Sequence, residues 1–429
     1  MHRMQIKKCE LGFEREALQK PFGFKGGSLS ELWQTVCRIT LDSRVWGMGT
    51  GVQSVLWSDT VTFHTHTQAG GNALMLAVTE YALQQLAGID FSSPPEMIHS
   101  IADSVHSYAR RITGRECLPR TFTLNALVCV DFALWQIWAR QNGQDSFDAI
   151  TRNFCPALRE KQSSLGAVPL ISYTTGEEEI KALLENGAFV LKIKIGSDPD
   201  GNNDPDAMLQ WDAARLRKIH GMAKQYATPY TDCGHPVYYL DANGRYDTFG
   251  RLLRFLDQAD SCGALDRILL LEEPFPEQNL QDIRSLPVHV AGDESAHCAA
   301  DAVRLIEQYG YGAIALKPIA KTLSETLAIF SEAKKRGVPC FCADLTVPPL
   351  LLDWNMNVAA RLAPLPGLKI GIIESNGPQN YSRWEQLLKM HPVPDAEWLR
   401  PEQGKFMLSP QFYSRCAPFS PAPCYERLL

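Results

Sequence analysis

Five short segments in the second half of the chain share one pattern: a hydrophobic run that ends in charge or amide. They are LKIKIG with Lys192 and Lys194, YYLDANG with Asp241 and Asn243, LLLEEPF with Glu272 and Glu273, VAGDES with Asp293 and Glu294, and ALKP with Lys317. A segment that is apolar for four or five residues and then charged reads as a strand buried along its length and chemical at its C-terminal mouth. The segments belong to a longer alternation that starts near Val168. Strands are predicted at VPLISY, FVLKIKI, VYYLD, ILLLE, VHVAGD, AIALK, PCFCA and LKIGIIE. Helices are predicted between them at EEEIKALLENG, from about Asp206 to Gln225, at FGRLLRFLDQ, LQDIRSL, DAVRLIEQYG, SETLAIFSEAKKRG and PLLLDWNMNVAARLA. Gly187, Gly310 and Gly337 stand where helix C-caps are expected. Eight strands with intervening helices suit a closed parallel barrel better than an open sheet.

The first 165 residues have a different rhythm. MQIKKCEL, LWQTVCRITLD and TVTFHTHT read as antiparallel strands of mixed polarity, and PPEMIHSIADSVHSYARRI and TLNALVCVDFALWQIWARQNG as two helices, the second strongly apolar. The segment from about Phe13 to Gly27, with Lys20, Phe22, Phe24 and Lys25, reads as a loop that either serves as a lid or is a plain connection. Gly47, Gly49 and Gly51 lack the spacing of a nucleotide loop and are read as a tight turn between strands. His64 and His66 would share one strand face without a third metal ligand nearby. The acidic run GSDPDGNNDPD reads as a solvated insertion, since it lacks the bidentate Glu of a calcium loop.

With a net charge of -6 and a pI near 6.0, the 429-residue chain lacks the basic face that phosphate binding requires, so nucleic acid is not expected as a partner. No apolar stretch approaches a membrane span, and the charged N-terminal stretch has no hydrophobic core of a secretory signal. Twelve cysteines are scattered singly apart from Cys340 and Cys342, and are read as reduced thiols. The cytosol is the expected compartment.

Asp241, Glu272 and Asp293 end three successive strands. Adjacent strands lie about 4.8 Å apart, so three carboxylates at one level can surround one ion. All-oxygen ligation favours a hard cation, here Mg²⁺ with room left for water and substrate. Neighbours in a strand face opposite sides, so only one residue of Glu272–Glu273 and one of Asp293–Glu294 can point inward. Lys192 and Lys194, two apart, project to one face. A second ammonium and a metal nearby would lower an amine's pKa, so one of them can act as a base. Lys194, nearer the mouth, is the expected base; Lys192 would tune it or bind a substrate carboxylate. Lys317 on the sixth strand faces the second strand across a barrel of eight. Lys321, in the turn after it, reads as a surface lysine. Asn243 is either a polar contact near the metal or a turn residue. Together these groups suit removal of the proton α to a metal-bound carboxylate, with the resulting enediolate held by a concentrated positive field.

These strand ends resemble the enolase superfamily, nearest its muconate-lactonizing and dipeptide-epimerase branch, and VDFALWQIWAR with Asp131 and Trp135 resembles its last cap helix. The resemblance implies a (β/α)7β modified TIM barrel over residues 166–391, with an α+β capping domain over 1–165 that the segment 392–429 completes. It favours Glu272 over Glu273 as ligand, and by the same logic Asp293 over Glu294, leaving Glu294 to partner a lysine. It implies a small-molecule carboxylate substrate and a homo-oligomer. Lysines on both faces permit racemisation or epimerisation. The same pair permits a lyase or cycloisomerase in which one lysine is the base, whether dehydratase, o-succinylbenzoate synthase-like or muconate cycloisomerase-like. The His–Asp pair of the mandelate-racemase branch is absent. Glu374, ending the eighth strand, either receives a substrate ammonium, as acids do in the dipeptide epimerases, or caps the next element; their aspartate pair is not reproduced in Glu374-Ser375-Asn376. A metal-binding barrel without catalysis is the third reading.

Overall fold

The computed structural model describes residues 5–414, 417–420 and 422–429. Met4, where the first predicted strand begins, and positions 415, 416 and 421 of the C-terminal segment lie outside them. Eight parallel strand positions close into a barrel in the order in which they occur in the chain. Closure depends on Pro169. The first strand is broken there, and Ser164–Val168 pairs with the eighth strand, Gly371–Glu374, while Leu170–Ile171 pairs with the second, Val190–Lys194. Proline has no N–H to give to a ladder, so the strand changes partner at the residue that can donate to neither. The third to seventh strands are Val237–Asp241, Ile268–Glu272, Val290–Gly292, Ala313–Leu316 and Cys340–Cys342. Register sets Lys194 beside Asp241 and Asp241 beside Glu272, so these three strand ends share one level.

Helices follow six of the first seven strands. The exception is LQDIRSL, predicted as a helix but irregular here, with only a short turn of 3₁₀ helix at Glu277–Asn279 before it. Ile283 and Leu286 still bury their side chains.

The cap departs further from its predicted elements. Ile6–Phe24 and Gly27–Leu41 form one long antiparallel hairpin, and Trp46–Gln53 is its third strand. The predicted Phe13–Gly27 loop is therefore mostly strand. Its register shifts between Ala17 and Phe22, around Pro21, and only Lys25 (φ 50°) and Gly26 (φ 72°) form the turn, as a two-residue hairpin requires. TVTFHTHT is helical, not extended. Asp59 accepts from Thr62 N at 3.0 Å and starts the helix Thr60–Leu86, which kinks at Thr67. His64 and His66 thus do not share a strand face. WGMGTG is a strand rather than a turn: a Cβ on Gly49 would lie 1.8 Å from Cys129 O, and one on Gly47 would lie 2.1 Å from Ala133 O. These glycines let the helix Arg120–Gln141 approach the sheet's backbone. That helix is long and apolar enough to cross a membrane, contrary to expectation, but 94% of its apolar window is buried inside the protein. The described cysteines are all free thiols.

Cap and barrel are joined by a polar bolt. The Asp131 carboxylate accepts from Leu323 N at 2.7 Å, Ser324 N at 3.2 Å and Ser324 Oγ at 2.5 Å, and Trp135 Nε1 donates to Ser324 Oγ at 3.1 Å. A cap residue thus satisfies the first turn of the barrel helix Leu323–Lys335. Asp131→Ala is expected to lose about 1–3 kcal/mol, because buried donors are left without a partner; a clear fall in melting temperature with the metal site intact would be the sign. The C-terminal segment serves both units. Lys405–Met407 pairs antiparallel with the first barrel strand, while Ala422 and Tyr425 pack on Val36 and Met48 of the cap.

Candidate active site

At the C-terminal mouth of the barrel the charged strand ends converge under the cap hairpin. Lys192, Lys194, Lys317, Asp241, Glu272 and Asp293 are all buried. Lys194 Nζ lies 2.5 Å from Asp241 Oδ2 and donates to Asn243 Oδ1 at 2.7 Å. Lys192 Nζ sits among Asp241 Oδ2 at 2.9 Å, Glu272 Oε2 at 3.0 Å, Glu374 Oε2 at 2.9 Å and the Tyr239 hydroxyl at 3.0 Å. Tyr239 itself donates to Glu272. Lys317 Nζ lies 2.5 Å from Asp293 Oδ2. Burial opposes the charge on Lys192 and Lys317, but the carboxylates outweigh it and hold both above the usual range. Burial also pushes Glu272 up to about 7, with Lys192 opposing and Asp293 adding to the rise.

Two residues in the site escaped the sequence reading. Lys321 is fully buried rather than a surface lysine, with Nζ 2.9 Å from Asp293 Oδ1 and bonded to Asp293 O at 2.6 Å. Pro318 opens a helical turn, Pro318–Lys321, right after Lys317, so the residue four positions on returns to the same side. Asp344 follows the seventh strand and is held by Asn376 N at 2.9 Å through Oδ2, while Oδ1 is buried without a hydrogen-bond partner. Burial, then the nearby charge of Glu374, pushes Asp344 up to about 7. Its segment, PCFCAD, carries the same apolar-then-charged signature as the five strand ends.

Neighbouring residues brace this layer. Glu273, with φ 42°, turns sideways and accepts from Asp293 N at 2.8 Å, Ser295 N at 3.2 Å and Ser295 Oγ at 3.0 Å. Glu294 accepts from Asn243 Nδ2 at 3.1 Å and pairs with Lys25 of the hairpin turn at 2.8 Å. Lys25 also donates to Trp57 O at 2.9 Å. Glu374 Oε2 accepts from Asp344 N at 2.9 Å as well as from Lys192.

The donor set fits a hard divalent cation. Carboxylate oxygens of Glu272, Asp293 and Glu294 lie within 4.8 Å of one another, and Glu272 Oε1 and Glu294 Oε2 are buried without a hydrogen-bond partner. Glu294, expected to face away from Asp293, is thus part of this cluster, whereas Asp241, expected as the third ligand, is not in it and reaches it through Lys192, which bridges it to Glu272. Buried acceptors left open on an all-oxygen cluster suit a metal ion. Between this floor and the hairpin about 30 Å³ of space remains, room for a water or two. A chamber of about 340 Å³ adjoins it beyond Trp57, Lys25 and Glu294.

Known proteins give the same picture of the fold. The chain is 24% identical to the L-Ala-D/L-Glu epimerase of Thermotoga maritima over 365 residues, which is 83% of this chain and 88% of the epimerase. It is 26% identical to muconate cycloisomerase 1 of Rhodococcus opacus over 269 residues, covering 62% of this chain and 64% of that protein. The crystal structure of the dipeptide epimerase from Enterococcus faecalis V583, complexed with Mg and the dipeptide L-Leu-L-Tyr, superposes with a TM-score of 0.59 at 16% identity, covering 87% of this chain and 90% of the epimerase. Residues 176–403, more than half of the chain, match the Enolase C-terminal domain-like family. The chain belongs to the enolase superfamily, in its mandelate racemase/muconate lactonizing enzyme family.

Proposed function

We propose that this chain is a Mg²⁺-dependent racemase or epimerase that removes the proton α to a substrate carboxylate and returns one on the opposite face. The observation that carries this reading is the placement of Lys194 at the end of the second of eight strands and Lys317 just after the sixth, each ammonium against a carboxylate of the same buried floor. Glu272, Asp293 and Asp241, with Glu294 beside them, would hold the ion. A metal ion held there would supply Lewis-acid stabilisation of the negative charge that develops on the substrate carboxylate. Lys194 takes the proton from one face at Nζ, and Lys317 delivers one from the other. Lys192 places a third positive charge beside Glu272 and Glu374, and the hairpin over the site keeps water out.

The substrate is an amino-acid derivative with a free ammonium group, in keeping with the dipeptide epimerases among its relatives. Asp344 Oδ1 is the acceptor open to that ammonium, and Glu374 adds negative charge beside it. Binding is expected to strengthen as pH rises through about 7, because Asp344 is neutral below that value and ionised above it. Asp344→Asn should weaken binding about 10–100-fold at pH 8, the worth of a charge-assisted hydrogen bond, and should flatten this pH dependence. An unchanged pH profile of KM in the variant would remove Asp344 from the site. The elimination and cycloisomerisation alternatives are separated by product analysis. Chiral chromatography of the products should show inversion at the α-carbon, with no new double bond, no released leaving group and no lactone ring; any of these would favour the alternatives.

A further inference from the structure

We infer that the substituent on the reacting carbon is apolar and uncharged, and that the inner face of the cap hairpin selects it. This deepens the reading above and rests on it. Residues two apart in a strand share a face, so Phe22 and Phe24 point the same way, and the register places Leu29 directly opposite Phe22. With Leu32 of the same hairpin they form an apolar roof on the cavity whose floor holds Lys192, Lys194, Lys317 and Asp293. The two rings lie 5.0 Å apart, and the Phe24 ring sits 5.5 Å from Lys194 Nζ. Leu170 and Leu345 complete the apolar wall from the barrel side.

No cation is free under this roof among the described residues. Lys192, Lys194 and Lys317 each lie on a carboxylate of the floor. The cation at the hairpin tip, Lys25, turns away into the adjoining chamber, where Glu294 and Trp57 O take its ammonium. An acidic side chain on the substrate would therefore meet no free cation under the Phe and Leu roof, and a polar group placed against that roof would lose its hydrogen bonds to water. Trp57 adds a second, independent feature. Its ring lines the cavity 4.7 Å from Lys317 Nζ, and its Nε1, on a residue only 4% exposed, has no hydrogen-bond partner. That N–H is available to a neutral acceptor such as a peptide carbonyl, and offers nothing to a side-chain cation.

The test compares three dipeptides whose C-terminal side chains are close in size: L-Ala-L-Leu, L-Ala-L-Asn and L-Ala-L-Asp. Each is titrated calorimetrically into the Mg²⁺-loaded full chain, and α-proton exchange is followed in parallel. L-Ala-L-Leu should bind at least about tenfold more tightly than either polar analogue, and Phe24→Asn should narrow that ratio toward unity. Equal or tighter binding of the Asn or Asp dipeptide, in wild type that exchanges the α-proton, would overturn the apolar selection and leave the racemase reading standing. Absence of binding by all three while Mg²⁺ still binds would overturn the amino-acid reading, and this inference with it.

Discussion

Replacing Lys194 or Lys317 by alanine is expected to lower turnover about 10²–10⁴-fold, the usual worth of a positioned acid or base. Both lysines are buried against carboxylates, so each variant removes one of two ammonium partners, leaving Asp241 with Lys192 or Asp293 with Lys321. That change brings more negative charge to the cluster, and Mg²⁺ binding should persist or tighten. Loss of turnover with metal retained separates a proton-transfer role from a structural one. The two variants should also differ from each other. With one lysine gone, exchange with solvent deuterium should survive from the stereoisomer whose α-proton faces the other. If both variants exchange the same stereoisomer, the lysines do not lie on opposite faces of the substrate.

The second large effect concerns the metal. Glu272→Gln and Asp293→Asn each remove one negative oxygen donor from the buried cluster. Affinity for Mg²⁺ should fall by more than about 100-fold, since even residues that merely orient metal ligands are worth 10–100-fold. A bound ligand raises the melting temperature according to its concentration over its dissociation constant, so the variants should lose the Mg²⁺-dependent rise that wild type shows. Retention of that rise in Glu272→Gln would exclude Glu272 as a ligand. The melting temperature of each variant without Mg²⁺ is the reference, so a loss of fold is read separately from a loss of metal binding.

The barrel was legible because its strands are apolar until their charged ends, which is a pattern that local sequence carries. The same signature at PCFCAD was there to be read for Asp344, but no second residue at that strand end drew notice to it. Lys321 was misread for a different reason. Its burial depends on Asp293 O and Oδ1, supplied by the preceding strand, and no local pattern announces a partner 28 residues away. In the cap, TVTFHTHT has the β-branched alternation of a strand, yet Asp59 caps it as a helix. Gly47, Gly49 and Gly51 looked like a turn because their purpose, close approach by a helix 80 residues later, is tertiary. Local propensity was overruled in both places by packing. The hairpin over the site lay within the segment read as a loop, from about Phe13 to Gly27, where the pairing register shifts between Ala17 and Phe22.

The most direct test of metal-assisted proton abstraction is exchange of the α-hydrogen. Wild type is incubated in D2O with each stereoisomer of a dipeptide that binds, and the α-proton signal is followed by NMR with Mg²⁺ and again with excess EDTA. The expected result is signal loss from both stereoisomers with Mg²⁺ and from neither with EDTA. Exchange undiminished by EDTA, or no exchange from a dipeptide that binds the Mg²⁺-loaded protein, would contradict it.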